Sequence, residues 1–137
     1  MPTSQKTVLI IDDEMDLVLL LKHNLEQEGF SVLSSWDGET ALEIVKDKNP
    51  DLIISDISLP GMDGFDFLRA LRRERKTPMI FLTGVKNELC KKLSEKLGAS
   101  DYITKPFSVE SVLQRIRALL DAQDALSERN ESVRAAK

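Results

Sequence analysis

Two apolar runs constrain this chain more than any other feature: Leu9-Ile10-Ile11 and Leu52-Ile53-Ile54, each followed closely by acids. A strand that is apolar without alternation is buried on both faces, the mark of a parallel sheet covered by helices on each side. If Thr7 to Ile11 and Leu52 to Ser55 are parallel neighbours, Asp12, Asp13 and Asp56 converge at the carboxyl edge of the sheet, where α/β sheets bind ligands. Two further strand ends would add Thr83, after Met79-Ile80-Phe81-Leu82, and Lys105-Pro106, after Asp101 to Thr104. Carboxylates gathered in this way repel by roughly 3 kcal/mol per pair at ~5 Å and an effective dielectric of about 20. Folding alone does not favour that cluster, so a hard cation is expected there.

The punctuation between the apolar runs gives five βα units. Gly29 stops a helix carrying Leu17, Leu21 and Leu25. Phe30 to Trp36 reads as a second strand, and Asp37 caps a helix with Ala41, Leu42 and Val45 that closes at Asn49-Pro50. After the third strand and a Pro60-Gly61 turn, Asp63 caps a helix with Phe65, Leu68 and Leu71; Pro78 then precedes the fourth strand. Leu89, Leu93 and Leu97 mark a helix ended by Gly98, and Ser108 caps a last helix with Val112, Ile116, Leu119 and Leu120. Right-handed crossovers leave few topologies. The expectation is an α/β fold with a five-stranded, doubly wound, flavodoxin-like parallel sheet of order 2-1-3-4-5, in which the first and third strands are adjacent.

A length of 137 residues suits one domain, expected over residues 5–122, with 123–137 as a polar C-terminal tail or helical extension. Val112, Leu119, Leu126 and Val133 recur every seven residues there, although polar Gln123 and Asn130 make a poor coiled-coil seam. No apolar stretch approaches the ~20 residues of a membrane span, and Met1 to Lys6 lacks the apolar core of a signal peptide. Pro2 stands where N-myristoylation needs glycine. These features, with a lone Cys90 that can form no internal disulfide, give a cytoplasmic expectation without membrane association. Cys90 reads as a packing residue rather than a redox centre. A net charge of -4 speaks against direct nucleic-acid binding. The cluster Arg69, Arg72, Arg73, Arg75 and Lys76 reads as a solvated helix end that complements the helix dipole, and His23 receives no role.

Taken together, several short segments resemble the receiver domains of two-component response regulators, of the chemotaxis-receiver kind. They are Ile10-Ile11-Asp12-Asp13-Glu14, Trp36-Asp37-Gly38-Glu39-Thr40-Ala41-Leu42, Pro50 to Asp56, Leu59 to Gly64, Leu82-Thr83-Gly84, and Gly98 to Phe107. Each is weak alone, but all occur in order at the expected separations, from about Thr7 to Leu120. The resemblance implies that Asp56 accepts a phosphoryl group from a sensor histidine kinase or a histidine phosphotransfer protein. It implies Mg2+ or Mn2+ held by Asp12, Asp13, Asp56 and the backbone carbonyl of Ser58. Lys105, Thr83 and Gly84 would bind the phosphoryl group, Thr83 and Tyr102 would form the switch, and the Lys105–Pro106 peptide would be cis. Output would pass through the face made by the fourth helix, fifth strand and fifth helix, which also offers a homodimer surface; an output domain could lie beyond this chain. Such a protein phosphorylates itself and slowly loses the phosphoryl group, and is not a turnover enzyme.

Chemistry separates the competing classes. A flavin binder of the same fold class would place glycines and amides, rather than Asp12-Asp13-Glu14-Met15-Asp16, after its first strand. A haloacid-dehalogenase-like phosphatase would require an Asp-x-Asp pair there, whereas here the second acid is adjacent. The remaining alternative is a receiver-like interaction module that phosphorylation does not regulate; the full set of reactive residues argues against it.

Overall fold

Five strands and five helices alternate along the chain in a computed structural model that describes residues 5–135, with side chains through Arg129. They are β1 (Thr7–Ile11), α1 (Met15–Gln27), β2 (Ser31–Ser35), α2 (Gly38–Lys48) and β3 (Leu52–Ser55), followed by α3 (Gly64–Glu74), β4 (Met79–Thr83), α4 (Glu88–Leu97), β5 (Asp101–Thr104) and α5 (Val109–Ala135). All pairings are parallel and the order is β2-β1-β3-β4-β5, as the sequence predicts.

Successive strand residues feed opposite faces, and each face has its own helices. Val8, Ile10, Leu52, Ile54, Ile80 and Leu82 pack with Leu21 and Leu25 of α1 and with Val112 and Ile116 of α5. Leu9, Ile11, Ile53, Met79 and Phe81 pack on the other side, with Ala41 and Val45 of α2 and Phe67, Leu68 and Leu71 of α3. The apolar runs are therefore continuous because both faces are covered.

Polar residues at the helix starts set the elements locally. Asp37 accepts from the Thr40 N–H (2.7 Å), Asp63 from the Asp66 N–H (2.9 Å), and Ser108 Oγ from the Ser111 N–H (3.0 Å). Each cap of this kind contributes about 1 kcal/mol. At the far end of α4, Gly98 adopts φ 98°, a left-handed conformation in which a side chain would be strained.

Register places the site. Ile11 is opposite Ser55, and the Asp56 N–H bonds the Ile11 carbonyl (3.0 Å), so Asp12 and Asp56 leave the sheet side by side. Thr83 is opposite Thr104, and the Lys105 N–H bonds the Thr83 carbonyl (2.8 Å).

Two expectations need adjustment. β2 is shorter than Phe30 to Trp36: it is an edge strand, and Trp36 lies past its end with 63% of its surface exposed. In α1 the core position falls to Val18, while Leu17 is only half-buried. Of the two alternatives expected for the C-terminal segment, the structure has the helical one: α5 runs without a break through residue 122 to Ala135. Residues 121–129 are exposed, and Asp124 pairs with Lys6 (2.9 Å). Pro2, residues 136–137 and the seam side chains of Asn130 and Val133 lie outside what the structure describes. Cys90 is a half-buried free thiol, and no helix among the described residues is long and apolar enough to cross a membrane.

Candidate functional site

Three chain segments deliver four charged side chains to one point beyond the carboxyl ends of β1, β3 and β5. Asp12 follows β1 directly: its N–H is bound by the Ser35 carbonyl (3.0 Å), and its Oδ1 accepts from the Glu14 N–H (2.9 Å). Asp56 follows β3, with Oδ1 accepting from the Ser58 N–H (3.1 Å). From beyond β5, Lys105 Nζ reaches Asp12 Oδ2 (3.1 Å), Asp56 Oδ2 (3.0 Å) and Glu14 Oε1 (2.6 Å). The Lys105–Pro106 peptide bond is cis.

The electrostatics are unequal among these groups. The Asp12 side chain is 2% exposed, that of Asp56 10% and that of Lys105 16%, while Glu14 is 59% exposed. Burial raises the Asp12 pKa above the usual carboxylate value, with the Glu14 amide and Lys105 pulling against it. For Lys105, burial acts downward, but hydrogen bonds to Glu14, Asp56 and Asp12 outweigh it and hold the ammonium above the ordinary lysine range. Lys105 is thus a permanent cation among acids.

Carboxylate oxygens of Asp12, Glu14 and Asp56 lie within 4.8 Å of one another. Buried carboxylate donors such as Asp12 and Asp56 suit a hard cation such as Mg2+, while Glu14 stands exposed beside them on Lys105. Two of the expected metal ligands, Asp12 and Asp56, are in this group, and Ser58 adjoins it through its amide. Asp13 is exposed and stands outside it. Asp13 lies instead with Asp12, Met15, Val18, Trp36 and Thr40 around an adjoining cavity of about 290 Å³.

Thr83 is fully buried at the end of β4, where its Oγ1 accepts from the Val85 N–H (3.2 Å). Tyr102 packs edge-on against Phe81, with ring centroids 6.3 Å apart, and donates its hydroxyl to the Val85 carbonyl (2.6 Å). Next to Thr83, Gly84 is exposed, and a Cβ there would meet nothing within 4 Å.

Two residues escaped the sequence reading. Glu14 joins the Asp12–Asp56–Lys105 group although it had been noted only as part of an acidic motif; a third acid directly after Asp12-Asp13 was the available signal. Gly64 begins α3 against the back of Asp56: a Cβ there would lie 2.5 Å from the Asp56 carbonyl oxygen and 2.8 Å from Ile57 Cα. Its spacing from Asp56 gave no hint of this contact.

Comparison with known proteins agrees with this geometry. The family model described as response regulator receiver domain matches residues 8–117. The receiver domain of Francisella response regulator 1452 is 31% identical with a TM-score of 0.82, over 87% of this chain and 99% of that one. The BeF3-activated N-terminal receiver domain of Klebsiella pneumoniae RstA is 31% identical with a TM-score of 0.81, over 84% of this chain and 98% of that one. A CheY-like receiver domain protein from Methanospirillum hungatei is 30% identical with a TM-score of 0.85, covering 89% and 98%. Matched in sequence over most of its length and in the path of all five strands, this chain belongs to the response regulator receiver domain family.

Proposed function

We propose that Asp56 accepts a phosphoryl group from a phosphohistidine on a sensor histidine kinase or phosphotransfer protein. The observation that carries this reading is the Lys105 ammonium shared between Asp56 (3.0 Å) and Asp12 (3.1 Å) at the carboxyl edge of the sheet. A carboxylate nucleophile meets a second anion as the phosphoryl group approaches, and the Lys105 ammonium at its oxygen offsets part of that repulsion. An Asp56 oxygen forms the O–P bond as the N–P bond of the donor breaks; the electron pair stays on the imidazole, which regains a proton from solvent. Lys105 then supports a phosphoryl oxygen as a point charge, and Thr83 and the Gly84 amide donate to others.

Mg2+ or Mn2+ would be held by Asp12, Asp13 and Asp56 with the Ser58 carbonyl, and when bound supplies charge neutralisation for the transferred group. Asp13 reaches this role from the exposed rim beside Asp12. The chain acts as a phosphoacceptor switch rather than a turnover enzyme. Thr83 and Tyr102 pass the change to the α4–β5–α5 face, the surface proposed for output and for any homodimer. Residues 5–122 form the receiver, with the remainder of α5 as a helical extension.

The test is phosphorylation by acetyl phosphate with Mg2+ in the parent and in Asp56→Asn. Incorporation lost only in the variant supports the reading. Incorporation in neither protein would favour a receiver-shaped interaction module that phosphorylation does not regulate.

A further inference from the structure

We infer that Glu14 is a displaceable counter-ion of Lys105, holding the lysine in the unphosphorylated protein and yielding it to the phosphoryl group. The inference rests on Asp56 being the phosphoacceptor and adds how access to that residue is regulated.

A lysine ammonium has three donor hydrogens, and three carboxylates surround this one. A phosphoryl oxygen that approaches while Asp56 still holds its own contact must take one of the other two, from Asp12 or from Glu14. Asp12 cannot leave cheaply: its side chain is 2% exposed and would become an unpaired buried charge. Glu14 can, because its side chain is 59% exposed and returns to water by rotation alone. Its backbone meanwhile stays fixed, with the N–H on Asp12 Oδ1 (2.9 Å) and the carbonyl accepting from the Val18 N–H (3.1 Å).

Glu14 nevertheless makes the shortest contact to Lys105, at 2.6 Å. A phosphoryl group on Asp56 adds close to two negative charges, on the order of -1.5 to -2, within a few ångströms of the Glu14 carboxylate. Glu14 therefore opposes the capture of Lys105 by the phosphoryl group. It is a positioning residue that acts through Lys105.

Glu14→Ala, Glu14→Gln and Glu14→Asp are compared with the parent for phosphorylation by acetyl phosphate at saturating Mg2+. Mg2+ affinity is read separately from the fluorescence of the single tryptophan, Trp36, which lines the cavity beside Asp12 and Asp13. The expected result is a rate increased about two- to fivefold in Glu14→Ala and Glu14→Gln, the size a half-exposed ion pair allows, through a lower half-saturating donor concentration. Mg2+ affinity should stay within about twofold of the parent. Glu14→Asp keeps the charge but is one methylene short of Lys105, so it should match Glu14→Ala.

Unchanged or slower phosphorylation in the Ala and Gln variants would overturn the inference. So would Glu14→Asp behaving as the parent, which would indicate general repulsion, or a tenfold loss of Mg2+ affinity, which would make Glu14 a metal ligand. Phosphate incorporated at another residue, or nowhere in the parent, would overturn the Asp56 reading itself and this inference with it.

Discussion

Thr83 and Tyr102 grip the two backbone groups of one residue: Thr83 Oγ1 accepts from the Val85 N–H at 3.2 Å, and the Tyr102 hydroxyl donates to the Val85 carbonyl at 2.6 Å. A Thr83 hydroxyl that turns toward a phosphoryl group must weaken its hold on the Val85 amide, which loosens the anchor of Tyr102. On the reading proposed above, the two-state element would be the segment after β4, with phosphate rewarding only the state in which Thr83 can touch it. Thr83→Ala should still accept phosphate but lose the conformational response, at a stability cost of about 1 kcal/mol. Amide chemical shifts across α4 and β5 are the readout. Changes as full in the phosphorylated variant as in the parent would remove Thr83 from the switch.

Lys105→Met should destabilise the metal-free protein by about 3 kcal/mol, because it leaves Asp12 and Asp56 buried without a cation. Mg2+ should restore part of the loss. The pH dependence has a definite sign: burial already raises the Asp12 pKa, and removal of Lys105 raises it further. A carboxyl group whose folded pKa lies above its unfolded value costs stability when ionised and ceases to do so as pH falls through the folded value. The deficit should therefore shrink as the pH falls through the raised Asp12 value. Denaturant unfolding with and without Mg2+ checks this, and a deficit that grows on acidification would contradict it.

Gly64→Ala tests the support behind Asp56. With the added carbon 2.5 Å from the Asp56 carbonyl, 2.8 Å from Ile57 Cα and 2.9 Å from Phe81 Cε1, backbone has to move. Overpacking of this kind costs about 1–3 kcal/mol. The expected outcome is that loss in urea unfolding together with slower phosphorylation. A variant as stable and as reactive as the parent would show that the Asp56 segment shifts freely.

Arg115 is paired with Asp101 and Arg117 with Glu28 inside the same chain, so neither is free for a partner subunit without breaking a contact. The unphosphorylated protein should sediment as a monomer or weak dimer at micromolar concentration, with at most modest tightening by beryllofluoride. Truncation after Leu120 removes the exposed Lys6–Asp124 pair and should change unfolding free energy by less than about 1 kcal/mol. A tight dimer that disappears on truncation would assign the interface to the α5 extension, where Leu126 is 53% exposed.

The sheet was legible because burial on both faces leaves no alternation in Leu9-Ile10-Ile11 or Leu52-Ile53-Ile54, and because Asp37, Asp63, Gly98 and Ser108 mark helix ends by local hydrogen bonding or backbone conformation. Parallel adjacency of β1 and β3 then brought Asp12 to Asp56. The Glu14–Lys105 contact was not legible. It joins residues 91 apart in sequence, and which of three successive acids turns toward the lysine depends on side-chain direction at the start of α1. The helical state of residues 123–135 is open in the sequence because polar Gln123 and Asn130 interrupt the seven-residue repeat of Leu119, Leu126 and Val133, and the exposed residues 121–129 pack on no core that would impose a stronger pattern.

Intact-protein mass spectrometry after incubation with acetyl phosphate and Mg2+ tests the central claim most directly, with Asp56→Asn and an excess of EDTA as the paired controls. The expected result is the gain of one phosphoryl group in the parent, stable in acid and lost in base, and no gain in Asp56→Asn or in EDTA. Incorporation that persists in Asp56→Asn, or that proceeds at the same rate without divalent metal, would contradict the assignment of Asp56 and its acidic neighbours as the phosphoacceptor site.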